Sequence, residues 1–256
     1  MRALDAKHYL LEVALLRDKV ASFDHYPFSL PAVRALDRLS FHPAMTFLIG
    51  ENGTGKSTLL EAIAIAWGFN PEGGSINFGF STRDSHSALH DSLRLTRGTQ
   101  HPRDGYFFRA ESFFNVATEI EKLDADEEPL ANPPPPVAGH YGGRSLHEQS
   151  HGESFMTLFM ERFGGNALYI LDEPEAALSP TRQMAMLTRM HDLVKQRSQF
   201  IIATNSPILM AYPNAKIVRL SEAGLREVAY TETDYYSVTK EFLNRHERML
   251  AELLGD

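Results

Sequence analysis

Eight consecutive residues, Gly50-Glu51-Asn52-Gly53-Thr54-Gly55-Lys56-Ser57, spell G-x-x-x-x-G-K-[ST]. With glycine near 7% of residues, a chance occurrence in a chain this long has a probability on the order of 1%. The flanks strengthen the reading. Met45-Thr46-Phe47-Leu48-Ile49 is a β-rich apolar run bounded by Pro43 and Gly50, the pattern of a buried strand. Ser57 to Trp67 has helix-forming composition, with Leu59, Leu60, Ile63 and Ala64 at helical spacing, and Gly68 and Pro71 end it. Strand, glycine-rich turn and helix in that order make a loop whose backbone N–H groups point inward at an anion. The partial positive charge of the helix N-terminus adds to their pull. In such a loop Lys56 reaches the β- and γ-phosphates and the Ser57 hydroxyl ligates Mg²⁺. The competing reading, a glycine-rich turn with a stray lysine, leaves the two flanking elements unexplained.

The rest of the chain alternates in the same way. Tyr9 to Leu16 reads as an early strand, and Tyr26-Pro27-Phe28-Ser29-Leu30-Pro31 as an edge strand or loop. Ala167-Leu168-Tyr169-Ile170-Leu171 and Gln199-Phe200-Ile201-Ile202-Ala203-Thr204 read as buried strands. Between them Pro180 to Lys195 reads as a helix, with Met184, Leu187, Met190 and Val194 inward. Strands alternating with helices predict an α/β fold with a mainly parallel central sheet flanked by helices. The 256 residues suit a single domain over 1–256. Residues 69–150 read as an inserted lobe. It carries the acidic run Asp124 to Glu128, the tract Pro133 to Pro136 and Gly142-Gly143, so 124–143 is expected to be a flexible Pro-rich loop. Within the lobe, Tyr106 to Phe114 is too aromatic for free linker and is expected to pack on the main domain. Asp234 to Leu254 places Val238, Phe242, Met249, Leu250 and Leu253 near helical spacing, as in a packed terminal helix.

Composition excludes several classes. There is no cysteine, hence no disulfide scaffold, thiolate metal site or cysteine nucleophile. A net charge of −8 argues against a strongly basic nucleic-acid clamp. No apolar stretch reaches the ~20 residues a bilayer needs, and no signal peptide is legible, so a cytoplasmic location without membrane insertion is expected. His86, His90, His140, His147 and His151 lack the tight spacing of a zinc site and read as scattered surface histidines.

Leu168 to Leu171 leads straight into Asp172-Glu173, two carboxylates at the carboxyl end of a buried strand, where open α/β sheets bind ligands. Asp172 would hold Mg²⁺, and Glu173 would polarise a water attacking the γ-phosphate. Turns and helix caps also favour Asp and Glu. The phosphate loop in the same chain favours the catalytic role.

With these pieces the chain resembles an ATP-binding-cassette (ABC) ATPase, in the branch of SMC, RecF and stand-alone AAA-family ATPases. Four segments occur in that family's order. They are Gly50 to Ser57, the signature-like Gln149-Ser150-His151-Gly152-Glu153 leading into an apparent helix, Leu168 to Pro180, and Ile201 to Pro207 at the switch loop. The resemblance covers about residues 9–220. It implies a P-loop NTPase fold of ABC type, ATP as substrate, Mg²⁺, and two subunits that sandwich two ATP molecules head to tail. Gly50, Glu51, Asn52, Gly53, Thr54, Gly55, Lys56, Ser57 and Thr58 would then hold the nucleotide. The Ser150 hydroxyl and Gly152 backbone would contact the γ-phosphate bound to the opposite subunit. Ser150 and Glu153 also have plain capping-box spacing.

Two departures from the family pattern matter. Asn205 stands where the family has a switch histidine, and asparagine can donate a hydrogen bond but cannot become cationic. Slow hydrolysis with retained ATP binding is expected. No glutamine marks the Mg²⁺-sensing loop, for which Glu111 is the substitute candidate; Tyr26 and Phe28 are candidates to stack on adenine. The leading functional expectation is an ATP-dependent homodimerisation switch, with any effector on a separate chain. The alternatives are a transporter ATPase subunit, a RecF- or SMC-like DNA-associated ATPase, and an ATP-bound scaffold of a defence or toxin module. Residues 59–150 are too few for long coiled-coil arms. Arg83, Arg94, Arg97, Arg103 and Arg109 are the candidates for a DNA-binding patch.

Overall fold

The computed structural model describes residues 9–75, 87–111, 118 and 151–255. In chain order the strands are β1 (Leu10–Leu15), β2 (Arg38–Ser40), β3 (Met45–Ile49), β4 (Gly74–Ser75), β5 (Leu93–Arg97), β6 (Asp104–Arg109), β7 (Ala167–Asp172), β8 (Gln199–Ala203), β9 (Lys216–Ser221) and β10 (Gly224–Glu227). The helices are α1 (Pro31–Arg34), α2 (Lys56–Trp67), α3 (His151–Thr157), α4 (Pro180–Lys195), α5 (Pro207–Met210) and α6 (Asp234–Leu254).

Seven strands form the main sheet in the order β10-β9-β3-β8-β7-β6-β4. Neighbours from β9 through β6 are parallel; the edge strands β10 and β4 run antiparallel. Side chains on a strand alternate between faces. Phe47, Tyr169 and Phe200 therefore share one face, where they pack with Phe155 of α3 and Met186, Met190 and Leu193 of α4. Leu48, Ile170 and Ile201 share the other, packing on Leu59, Leu60 and Ile63 of α2. Both faces are covered, so the central strands read as continuous apolar runs rather than alternating ones. A second, antiparallel sheet, β2-β1-β5, lies against the α2 face.

Gln199, fully buried at the start of β8, joins the two sheets. Its Oε1 accepts from the backbone N–H of Tyr9 at 3.0 Å and of Leu10 at 2.9 Å. Its Nε2 donates to the carbonyls of Leu10 at 2.8 Å and His42 at 3.1 Å. A buried amide with donors and acceptors all engaged fixes the register of what it touches.

The structure corrects three expectations and decides between two readings of a fourth. First, the span 69–150 is not wholly an insert. Its residues 104–109 are β6, a central parallel strand between β7 and β4, and 93–97 are β5 of the second sheet. Tyr106, Phe107 and Phe108 are buried there, consistent with packing on the main domain. The Pro-rich stretch 124–143 lies outside the described residues. Second, α4 turns Met186, Met190 and Leu193 inward, while Met184 is 54% exposed and Leu187 and Val194 sit at the margin. Two successive steps of three residues rotate by about 120° round a helix, so Met184 and Met190 cannot share a narrow face. Third, α6 forms but does not pack along its length. Against the described residues none of its side chains is fully buried, and Val238, Leu243, Leu250, Leu253 and Leu254 are exposed. Of the two readings of residues 26–31, edge strand or loop, the structure has the loop: residues 26–30 form turns that lead into α1 at Pro31. No helix among the described residues is long and apolar enough to cross a membrane.

Candidate nucleotide site

The strand order fixes where the chemistry gathers. β3, β8 and β7 are parallel neighbours, so their carboxyl ends deliver Gly50, Asn205 and Asp172-Glu173 to one edge of the sheet. A cleft of about 320 Å³ opens there, lined by Leu30, Asn52, Gly53, Gly55, Lys56, Ser57, Thr58, Ala110, Glu111, Asp172 and Glu173.

The turn from β3 into α2 needs glycine at two points. Gly50 has φ +153°, and a Cβ there would stand 2.3 Å from the Leu220 carbonyl oxygen. Gly55 caps α2 in the left-handed region at φ +97°. From the first turn of α2 the Lys56 ammonium folds back over the loop. It donates to the carbonyls of Gly50 at 2.6 Å and Glu51 at 3.1 Å. Burial pulls its pKa below the ordinary lysine value, against the opposing field of Glu173, Asp172 and Glu175.

The Ser57 hydroxyl donates to Asp172 Oδ1 at 3.0 Å. Burial pushes the Asp172 carboxyl up to about 7; the Ser57 hydrogen bond and Arg109 oppose this, and Glu173 and Glu111 add to it. Arg109 stands opposite Asp172 in the β6–β7 register and pairs with the little-exposed Glu61 of α2 at 2.9 Å. One hydroxyl and one carboxylate beside an ammonium form a hard-oxygen set suited to Mg²⁺ carried on a triphosphate. Mg²⁺ takes few protein ligands and keeps water and phosphate oxygens. No group of three His, Cys, Asp or Glu among the described residues is placed to hold a metal.

Glu173 follows β7 in the left-handed region, at φ +47°. The Asn205 side-chain N–H approaches its Oε1 at 3.4 Å. Two further residues complete the arrangement, and neither was identified from sequence. Glu175 accepts from the Asn205 backbone N–H at 2.7 Å. Burial raises its pKa, and its Oε2 is buried with no hydrogen-bond partner among the described residues. The only sequence signal was its place two residues after Glu173. Tyr235, in the first turn of α6, has its hydroxyl 2.8 Å from Asn205 Oδ1 and 3.0 Å from the Gly50 carbonyl. No local pattern links residues that far apart in sequence.

Other candidates fall elsewhere. Glu111 lines the cleft, 3.6 Å from Arg109. Tyr26 and Phe28 are not among the described lining residues: Tyr26 is 65% exposed and Phe28 packs edge-on against Phe23, while Leu30 reaches the cleft. Gly50, Glu51 and Thr54 line a second cavity of about 840 Å³ beside Arg219, Tyr235 and Val238; Asn52 and Gly53 face both. Ser150 lies outside the described residues. Gly152 is not among the described lining residues of the cleft, and a Cβ on it would stand 2.3 Å from the Ala177 carbonyl oxygen, a reason for glycine within this one chain.

With this geometry in view, comparison with known proteins is specific over part of the chain. Residues 28–124 match the family model described as AAA domain. The matched segment contains the phosphate loop, α2 and Glu111, whereas Asp172, Glu173 and Asn205 lie beyond it and meet it through the sheet and the Ser57–Asp172 hydrogen bond. Three solved structures are similar in outline. The ATP-binding subunit of an ABC transporter is 17% identical, with 96% of this chain and 99% of that one covered and a TM-score of 0.47. A nucleotide-free ATP-binding cassette from an ABC transporter is 16% identical, with 86% and 90% covered and a TM-score of 0.46. The SMC head domain from Thermotoga maritima is 15% identical, with 86% and 98% covered and a TM-score of 0.41. With TM-scores below 0.5, these likenesses carry no weight; the sheet order of this chain carries the fold. No curated protein matches the chain.

Proposed function

We propose that this chain is a cytoplasmic ABC-type ATPase that binds Mg-ATP in the cleft, hydrolyses it slowly to ADP and phosphate, and pairs with a second copy while ATP is bound. The observation that carries the proposal is the 3.0 Å contact between Ser57 of the phosphate loop and Asp172 of β7, beside the Lys56 ammonium. Residues 115 apart in sequence meet where a triphosphate needs cation ligands and a positive charge.

The roles follow from the chemistry of each group. The loop's backbone N–H groups and Lys56 hold the phosphates. Mg²⁺, held by Ser57 and Asp172 together with phosphate oxygens, would neutralise charge building on the triphosphate. Glu173 orients the attacking water and takes its proton, since a carboxylate only accepts hydrogen bonds while ionised. Asn205 donates from its carboxamide but carries no charge, so it stabilises the transition state less than an imidazolium could. Ser150 and Gly152 serve the ATP held by the other copy, with any effector supplied as a separate chain.

Phosphate release and binding of a fluorescent ATP analogue, each with and without Mg²⁺, test the reading. Saturable binding with slow release, both lost in Lys56→Ala, is expected. A wild-type chain that neither binds ATP nor releases phosphate contradicts it.

A further inference from the structure

We propose that Tyr235 is a positioning residue that aims the Asn205 carboxamide at Glu173, so that the first turn of α6 governs the water-activating carboxylate. This deepens the hydrolysis reading above and rests on it. The phenol carries one proton and faces two acceptors, Asn205 Oδ1 at 2.8 Å and the Gly50 carbonyl at 3.0 Å. The contact to Asn205 Oδ1 is the shorter of the two, and the Gly50 carbonyl also accepts from the Lys56 ammonium at 2.6 Å, so Gly50 depends less on the phenolic proton than Asn205 does. With Oδ1 so engaged, the amide nitrogen is the end that faces Glu173 Oε1, at 3.4 Å. The flipped amide would set an oxygen against a carboxylate, two acceptors with no proton between them. The Asn205 main chain is held separately by Glu175 at 2.7 Å, so the side-chain orientation is the freedom that remains for Tyr235 to remove. Burial and the neighbouring carboxylates Glu51 and Glu173 raise the pKa of the phenol, which keeps it a donor.

The place of Tyr235 in the fold supports the role. Thr233 caps α6, accepting from the Tyr236 N–H at 3.2 Å, and Tyr235 and Tyr236 are half-buried. No side chain of this helix is fully buried against the described residues. The hydroxyl of Tyr235 hydrogen-bonds the terminal helix to the nucleotide site.

The test is Tyr235→Phe in the full chain, which keeps the ring and removes the hydroxyl. Phosphate release is followed under single-turnover conditions, so that slow rates stay readable. Mg-ATP affinity, KM and thermal midpoint are measured alongside. Affinity and KM within about twofold of wild type, an unchanged midpoint and a rate about three- to tenfold lower are expected, the size of one lost orienting hydrogen bond. In an Asn205→Ala background the same change is expected to have no further effect, because the partner it positions is gone. Tyr230→Phe, which removes a 2.9 Å bond to the Pro207 carbonyl nearby, serves as the control with an unchanged rate. An unchanged rate in Tyr235→Phe overturns the inference, as does the same fold-loss in both backgrounds, or a midpoint that falls with the rate. Absence of hydrolysis in the wild type overturns the ATPase reading and this inference together. A hydrolysing wild type with an unresponsive Tyr235→Phe overturns this inference alone.

Discussion

Glu173 takes a backbone conformation, φ +47°, that side-chain-bearing residues seldom adopt, and it does so at the carboxyl end of β7 beside the phosphate loop. Such strain persists where surrounding structure holds it; here the Glu173 N–H donates to the Ala203 carbonyl at 2.9 Å. Glu173→Gln removes the proposed base and keeps the shape. It is expected to lower phosphate release at least 100-fold while ATP affinity and thermal midpoint stay near wild type, read by stopped-flow binding and melting. Asn205→His supplies a group that can carry charge beside Glu173 and is expected to raise turnover. An unchanged or lower steady-state rate contradicts that argument. Lys56, Ser57, Asp172, Glu173 and Asn205 were legible as candidates because each sits in a short motif at a strand end, and the structure brings all five to one edge of the sheet. Glu175 and Tyr235 were not, because their meaning lies in contacts that cross 30 residues to Asn205 and, for Tyr235, 185 to Gly50.

At the scale of elements, Gln199 tests how the two sheets are joined. Gln199→Ala strips four hydrogen bonds and leaves buried backbone groups of Tyr9, Leu10 and His42 without that partner. A loss of at least about 2 kcal/mol in urea unfolding, with an unchanged m-value, is expected; a loss below about 0.5 kcal/mol contradicts the joining role. β3, β7 and β8 were legible as short apolar runs, and α2 and α4 as stretches with apolar residues at helical spacing. β6 was obscured because its six residues lie inside a polar, low-complexity span and gain their strand character from β7 and β4 on either side. The inward face of α4 was misjudged by a rotation rather than by its limits. The exposed face of α6 shows the converse: helical spacing of apolar residues establishes a helix, and by itself does not supply a surface for it to pack on.

For the whole molecule, the parallel order β3-β8-β7 turns three separate sequence motifs into one site, and the antiparallel sheet is tied behind it through β8. The α/β class followed from alternation of elements, and the location of the site at strand ends from the phosphate-loop motif and the Asp172-Glu173 pair. The division of residues 69–150 did not, since which strands neighbour one another is a property of the folded sheet. A site built in this way within one chain still leaves the proposed switch to be tested between two. The most direct measurement is light scattering of the full chain with and without Mg-ATP, on Glu173→Gln so that the nucleotide persists. The account predicts a mass near 28.8 kDa without nucleotide and about twice that with Mg-ATP. A chain that binds Mg-ATP and remains at the single-chain mass contradicts it.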